Sequence, residues 1–356
     1  MTNSSKGMNY INVTHTSGYG SQSAGNRTDF SSVFTQQVLP VLYALICAGG
    51  LVLNGLAAWI FFRLPSTSGL VVYLKNMVVA DLLMLLSFPW RVASDLGIGG
   101  WQMKVVVCRY TAVLFYLSMY TGIVFMSLIS LERYVKIVRA SSSSSSSCLC
   151  SFNASSLLQR VPMARVLAFL VWALLLLCML PNTLLTNRPA AEGCSCMELK
   201  SALGRRWHGV SAHLIVAIFW LTLILMAYCY TSIAQHVYRS YRRVLRDGSE
   251  AGRKSNRSIF SLLAVFFLCF VPYHVCRVPY TLSQLSGIKF SMQTRFHLFQ
   301  AKEATLFLSA LNVCLDPVIY FLMCRTFRES LLRKLSTADG ENRRPSITNG
   351  LSVSNL

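Results

Sequence analysis

Apolar residues fall along this chain in long, nearly uncharged blocks, not in the alternation of a strand or the single stripe of a soluble helix. A bilayer's hydrocarbon core takes about 20 apolar residues of helix. Uncharged runs at or near that length occupy positions 38–62, 110–131, 166–187, 207–238 and 258–276. Two further runs, 77–90 and 304–324, each enclose a single acid, Asp81 and Asp316. The run at 77–90 reaches spanning length only by drawing in polar-edged residues back to Leu70. The pattern predicts an all-α membrane protein, a bundle of seven transmembrane helices.

The polar segments divide the rest. Positions 1–37 form a polar tail with N-x-[ST] sequons at Asn3, Asn12 and Asn26, which suits a glycosylated extracellular N-terminus. No secretory-signal pattern precedes the first run, so that helix itself is expected to direct insertion. The spanning domain is expected over 38–324. Between its third and fourth spans the serine run 141–147 reads as a flexible cytoplasmic insertion. Positions 325–336 read as a short amphipathic interfacial helix, with Phe327, Leu331, Leu332 and Leu335 apolar and Arg328, Arg333 and Lys334 polar. Positions 337–356 read as a disordered cytoplasmic tail.

Composition excludes several classes. Hydrophobic residues make up 54% and charged residues 13%, about half the share usual in soluble domains. With a mean hydropathy of +0.49, a soluble enzyme could not hide so much apolar surface. An aromatic content of 12% is wrong for a disordered chain. The net charge of +20 could suit nucleic acid, but the spans set that partner aside. With the N-terminus outside, the larger basic excess falls on the cytoplasmic side, at 239–257 and 325–344, as the positive-inside rule requires. The outer side is net basic too, a surplus that either solubilises it or attracts an anion. Of 12 cysteines, only Cys108, Cys194 and Cys196 are expected outside; one of the last two bridges to Cys108, and the other is left over.

Polar groups at membrane depth carry a burial cost unless partnered. Asn54, Asp81, Asn312 and Asp316 stand there, with Glu132-Arg133-Tyr134 at the cytoplasmic end of the third span. Asn54 alone would read as a helix-packing hydrogen bond; two acids and two amides together suggest a cation-binding cluster. Glu132 and Arg133 read as a local ion pair able to open and close. Pro89, Pro272, Pro279 and Pro317 permit kinks and hence hinges. At about 100° per residue, His274, Arg277, Tyr280 and Gln284 share about one third of the sixth helix's circumference, near its outer end. Lys302 is expected at the outer start of the seventh span. An arginine fork binds phosphate bidentately, lysine adds a point charge, and tyrosine faces suit a base or an acyl chain. Against that stands snorkelling of Arg277 and Lys302 to the surface, or a simple pair of Lys302 with Glu303.

As an ordered set, Leu53-Asn54-Gly55, Asn76 to Asp81, Cys108, Glu132-Arg133-Tyr134, Trp172, Cys269-Phe270-Val271-Pro272 and Leu315-Asp316-Pro317-Val318-Ile319-Tyr320 resemble the class A (rhodopsin-like) G-protein-coupled receptors. The likeness covers about 39–334. The run from Phe270 to Gln284, with Lys302-Glu303, resembles the purinergic branch that senses ADP and UDP-sugars, nearest its orphan member linked to lysophosphatidic acid. The resemblance implies ligand contacts at His274, Arg277, Tyr280, Gln284, Lys302, Lys200, Tyr116 and Tyr120. It implies a G-protein switch at Glu132, Arg133, Tyr134, Tyr230, Asp316, Pro317 and Tyr320. An allosteric sodium ion is implied at Asn54, Asp81, Asn312 and Asp316, with no other cofactor or metal. Cys196 is implied as the partner of Cys108, since Cys196-Met197-Glu198-Leu199-Lys200 fits the loop pattern. Three departures stand out. Cysteines for the branch's second outer bridge are missing, Thr222 stands near the usual proline of the fifth span, and the serine run lengthens the second inner loop.

The expected function is a multi-pass plasma-membrane receptor for an extracellular phosphate-bearing ligand, a nucleotide or nucleotide sugar. Partners would be a heterotrimeric G protein of the inhibitory type, arrestin and membrane lipids. Alternatives are a lysophospholipid receptor, a ligand-orphan receptor and, from another class, an organic-anion transporter. The transporter needs a polar path through the midplane, where the two acids would repel an anion. No metal-ligand spacing or nucleophile–base set supports an enzyme.

Overall fold

The computed structural model describes residues 30–139, 158–189, 195–244, 253–284 and 290–342. The three sequons, the serine run, Cys194 and positions 343–356 lie outside them. The chain divides into Met1–Phe30 and Ser31–Leu356, and the helices all lie in the second unit.

Seven helices among the described residues are long and apolar enough to cross a membrane: α1 (Phe34–Arg63), α2 (Gly69–Asp95), α3 (Gly100–Val138), α4 (Val161–Leu184), α5 (Ala202–Val244), α6 (Arg253–Gln284) and α7 (Met292–Met323). An eighth, α8, runs Arg325–Asn342, beyond the expected end at 336. The described residues contain no strand. α2 and α3 bury 67% of their apolar windows and form the centre; α4 buries 28% and lies at the edge. On α4, Phe169, Leu174 and Leu177 are exposed, an apolar face that only lipid can cover.

The prolines explain several polar contacts. Pro317 has no N–H to give the carbonyl four residues back, that of Val313. Asn54 Nδ2 donates to that carbonyl at 2.6 Å and to Gly50 O at 3.1 Å, stitching α1 to α7. Pro89 frees the Leu85 carbonyl in the same way, and the Cys47 thiol donates to it at 3.9 Å. Gly50 keeps these helices close, since a Cβ there would meet Leu85 Cδ2 at 2.7 Å. α7 is broken by a turn at Leu311. Replacing Asn54 by leucine should strand the Val313 carbonyl and cost about 1–2 kcal/mol. A thermal melt of purified protein reads it, and an unchanged midpoint would refute the stitch.

α8 docks by its apolar side: Phe327 stacks on Phe61 with ring centroids 4.9 Å apart and meets Tyr320 edge-on at 6.4 Å. Leu331 packs on the core and Leu332 is exposed, as an interfacial helix requires.

All seven spanning helices begin ahead of their apolar runs, α3 and α7 by the most. α3 starts at Gly100 and α7 at Met292. Lys302 therefore lies well inside α7, not at its start as the apolar run implied. Ser291 caps α7, its hydroxyl accepting from Thr294 N at 3.1 Å. Arg295 donates two bonds to the Ser283 carbonyl near the end of α6, at 2.7 and 3.0 Å. These contacts let the helix run on through charged residues that ended the hydrophobic count.

Candidate functional site

Cys108, early in α3, is bonded to Cys196 of the α4–α5 connection, and this disulfide marks one end of the bundle. Changing Cys196 to serine should cost about 2–5 kcal/mol and lower surface display, whereas Cys194→Ser should keep both display and bridge. Surface labelling of the two variants checks this; the opposite ranking would reassign the bridge.

Beneath the disulfide, α2, α3, α6 and α7 bring a set of cations and phenols together. Arg277 of α6 is 8% exposed, with its Cζ 5.7 Å from the Tyr116 ring centroid. Tyr116, Tyr120, Tyr273 and Tyr280 surround the guanidinium electrostatically. Its Nε has no hydrogen-bond partner, and no carboxylate pairs with it among the described residues. Lys302 is as deeply buried but pairs with its neighbour Glu303, and its ammonium lies 5.2 Å from the Tyr280 ring and 5.0 Å from Phe299. Glu303 also accepts from Arg91 Nη2 at 2.5 Å, while Arg91 Nε donates to Asp95 at 2.9 Å. Arg91 further lies 5.2 Å from the Tyr43 ring centroid, which brings α1 into the network. Three cations thus face two carboxylates, and the surplus charge rests on Arg277.

His274 is fully buried. Its Nδ1 lies 2.8 Å from the Phe270 carbonyl and must donate to it, so in the neutral ring Nε2 accepts from Tyr120 OH at 3.0 Å. The ring lies flat on Phe219 of α5, with centroids 3.6 Å apart and planes 6° from parallel. Phe266 lies parallel to Phe219 at 5.7 Å. With both nitrogens engaged, His274 sets Tyr120 in place and offers no free donor in this conformation.

Lys200, before α5, donates to Thr186 Oγ1 at 3.1 Å, and burial lowers its pKa from the ordinary lysine value. It does not join the Arg277 cluster directly; His208 lies within electrostatic reach of both. Gln284 closes α6, and its side chain is not among those described. Arg91, Glu303, Tyr273 and His208 belong to this constellation but were absent from the expected contacts. A charged Lys302-Glu303 pair beside an apolar run was the available signal for Glu303.

Midway through the bundle, Tyr320 OH donates to Asp81 Oδ2 at 2.5 Å and Asn312 Nδ2 donates to Asp316 Oδ2 at 3.3 Å. The Asp81 and Asp316 carboxyls also interact. Asn54 Oδ1, Asn312 Oδ1 and Asp316 Oδ1 are buried oxygens without a hydrogen-bond partner.

At the far end, Arg133 Nη2 donates to the Met323 carbonyl at 2.8 Å, capping the last residue of α7. Its Nε lies 3.7 Å from buried Glu132. Ser130 Oγ donates to Tyr230 OH at 2.9 Å, and Tyr134 OH lies 3.4 Å from Tyr228 OH. The expected switch residues thus join α3 to α5 and α7.

Comparison with known proteins agrees with this arrangement. The 7 transmembrane receptor (rhodopsin family) profile matches residues 53–320. The chain is 45% identical to purinoceptor 14 of Bos taurus over 307 residues, 86% of this chain and 87% of that protein. It is 41% identical to the Mus musculus G-protein coupled receptor 87 over 327 residues, 91% of this chain and 87% of that one. With purinoceptor 13 of Homo sapiens it shares 39% over 313 residues, 86% of this chain and 85% of the relative.

Proposed function

Since the chain belongs to the rhodopsin family of seven-transmembrane receptors, in its purinergic branch, we propose that it senses a small extracellular phosphate-bearing ligand and signals to a heterotrimeric G protein. One observation carries the ligand class: Arg277 is a buried guanidinium without a counter-anion among the described residues. An unpaired charge in such surroundings is costly, and a phosphate oxygen pair relieves it with two charge-assisted bonds. Lys302 adds a second charge once the ligand draws it from Glu303. The tyrosines give faces for a base, in keeping with relatives named purinoceptors.

In this reading the disulfide end is extracellular, the N-terminus lies outside and the protein sits in the plasma membrane. Ligand drawn between α3, α6 and α7 favours a bundle in which the far end of α6 swings outward, uncovering Arg133 and Tyr230 for an inhibitory-type G protein. A ligand shifts the balance only through unequal affinity for the two states. Asp316, Asn312 and Asn54 offer unpartnered oxygens around the adjoining carboxyls of Asp81 and Asp316, a donor set that suits a sodium ion holding the inactive bundle.

The test is G-protein activation in transfected cells against nucleotides, nucleotide sugars and lysophospholipids, at measured surface display. A response to one phosphate-bearing class supports the reading. Silence across the panel with normal display overturns it.

A further inference from the structure

The basic surplus at the disulfide end of the bundle is unevenly answered. Toward α1, α2 and α7, Arg91 and Lys302 meet Asp95 and Glu303, and Arg295 gives two N–H groups to the Ser283 carbonyl. Toward α3, α4 and α5 the cations stand open. Lys104, Arg188, Arg205 and Arg206 are exposed and Arg109 is half-buried, and none of the five forms an ion pair among the described residues. Glu198 is the one acid among the described residues of that corner, and it accepts from the Ser195 backbone N–H at 2.7 Å.

Backbone contacts gather these cations into one patch. Arg109 Nη2 donates to the Arg188 carbonyl at 2.7 Å, and the Arg188 N–H donates to the Leu199 carbonyl at 3.1 Å. Arg205 Nη1 donates to the carbonyl of Lys200, the next residue, at 3.0 Å. Gly204 lets α5 start this close to the end of α4, since a Cβ there would meet the Leu185 carbonyl oxygen at 2.6 Å. Lys104 lies one helical turn before Cys108, whose disulfide to Cys196 anchors the same connection. Arg205 and Arg206 also stand in the first turn of α5, where the positive end of the helix dipole disfavours a cation. Like charges packed here without acids repel one another, and an external anion relieves them.

The kind of anion follows from exposure. A single solvent-exposed ion pair strengthens binding by no more than about five-fold, so a lone small anion gains little on any one of these residues. A chain that carries an anion on every sugar engages several at once and multiplies the gains. Guanidinium forks match the paired oxygens of a sulfate as they match those of a phosphate. Trp101, exposed and three residues before Lys104 on the same side of α3, offers an indole face to the C–H side of a sugar ring.

We infer that this corner is a docking surface for a sulfated polysaccharide of the cell surface, held by Lys104, Arg109, Arg188, Arg205 and Arg206. The inference takes from the proposed function only the orientation, with the disulfide end outside. It is separate from the buried Arg277 site and concerns what tethers the receptor, not what activates it.

The experiment uses the full chain in phosphatidylcholine nanodiscs at about 0.15 M salt and a fluorescent heparan sulfate dodecasaccharide, with fully desulfated heparin and polyglutamate as competitors. The dodecasaccharide should bind at least about 10-fold more tightly than either competitor and than the matching tetrasaccharide. R188S/R206S removes two exposed cations and should weaken binding at least about five-fold. K104S/R206S leaves the α4–α5 connection untouched up to α5 and should weaken it by a like amount, with thermal melts of both as the folding control. R325S/R333S takes two cations from the far end of the bundle and should bind as the parent does.

Full binding by both outer double variants would overturn the docking surface. So would an equal loss in R325S/R333S, the mark of a general attraction to a cationic protein. Polyglutamate that competes as well as the dodecasaccharide would make the partner an acidic peptide and overturn the polysaccharide. Arg277→Ala should leave dodecasaccharide binding unchanged, so a lost agonist response in that variant bears on the phosphate reading alone. A loss of dodecasaccharide binding there would place the sugar chain in the pocket and sink the surface.

Discussion

Arg277→Ala should shift the half-maximal concentration of a phosphate-bearing agonist by about 100-fold or more. Two charge-assisted hydrogen bonds contribute roughly 3 kcal/mol or more together, and each 1.4 kcal/mol is about a factor of ten. Arg277→Lys keeps the charge but loses the planar fork, so it should recover only part of the response. A second measurement separates a binding role from a structural one. Arg277 is buried without a carboxylate, so Arg277→Leu removes an uncompensated charge and should leave the melting temperature unchanged or raise it. An unshifted agonist curve at matched surface display would refute the assignment. A large fall in melting temperature would make Arg277 a structural residue instead.

Glu303 should behave in the opposite way. Its two oxygens serve Arg91 and Lys302, so Glu303→Gln leaves buried Lys302 and half-buried Arg91 facing each other with only Asp95 nearby. Breaking a buried pair from one side costs about 3–5 kcal/mol, enough to empty the cell surface of a marginally stable receptor. Removing the excess charge as well, in Glu303→Gln with Lys302→Met, should restore part of the display. That ordering, single variant worse than double, is the signature of charge compensation and would be read by surface immunolabelling. If the double variant displays no better than the single, Glu303 acts through packing or backbone capping.

Five of the seven spans are legible as uncharged runs because lipid-facing helices need no amphipathic stripe. The starts of α3 and α7 are not. In α7 the count stops at Lys302-Glu303, since a sequence does not say that Arg91, far away in α2, neutralises the acid inside the bundle. The polar residues at depth are legible one by one. Their pairing is not: Asn54 donates to Val313 O only because Pro317 frees that carbonyl and the register of α1 against α7 brings them together. His274 shows the same limit. Helical phase places it beside Arg277, but its role depends on Tyr120 of α3 and Phe219 of α5, one bonded to a ring nitrogen and the other covering a ring face. Cysteine counting leaves the disulfide partner open between two residues; the loop pattern favours Cys196, and the structure joins it to Cys108.

The flat contact of Phe219 with His274 and Phe266 bears on how α5 and α6 can move. Branched aliphatic side chains interdigitate, and sliding one helix past another must first lift each knob from its hole. Parallel rings have no knobs, and offset stacking is among their favoured arrangements. With planes 6° and 2° apart, the two α6 rings can glide across Phe219 in their own plane while keeping face contact. The seam between these helices is built like a bearing: resistant to separation, permissive of slip.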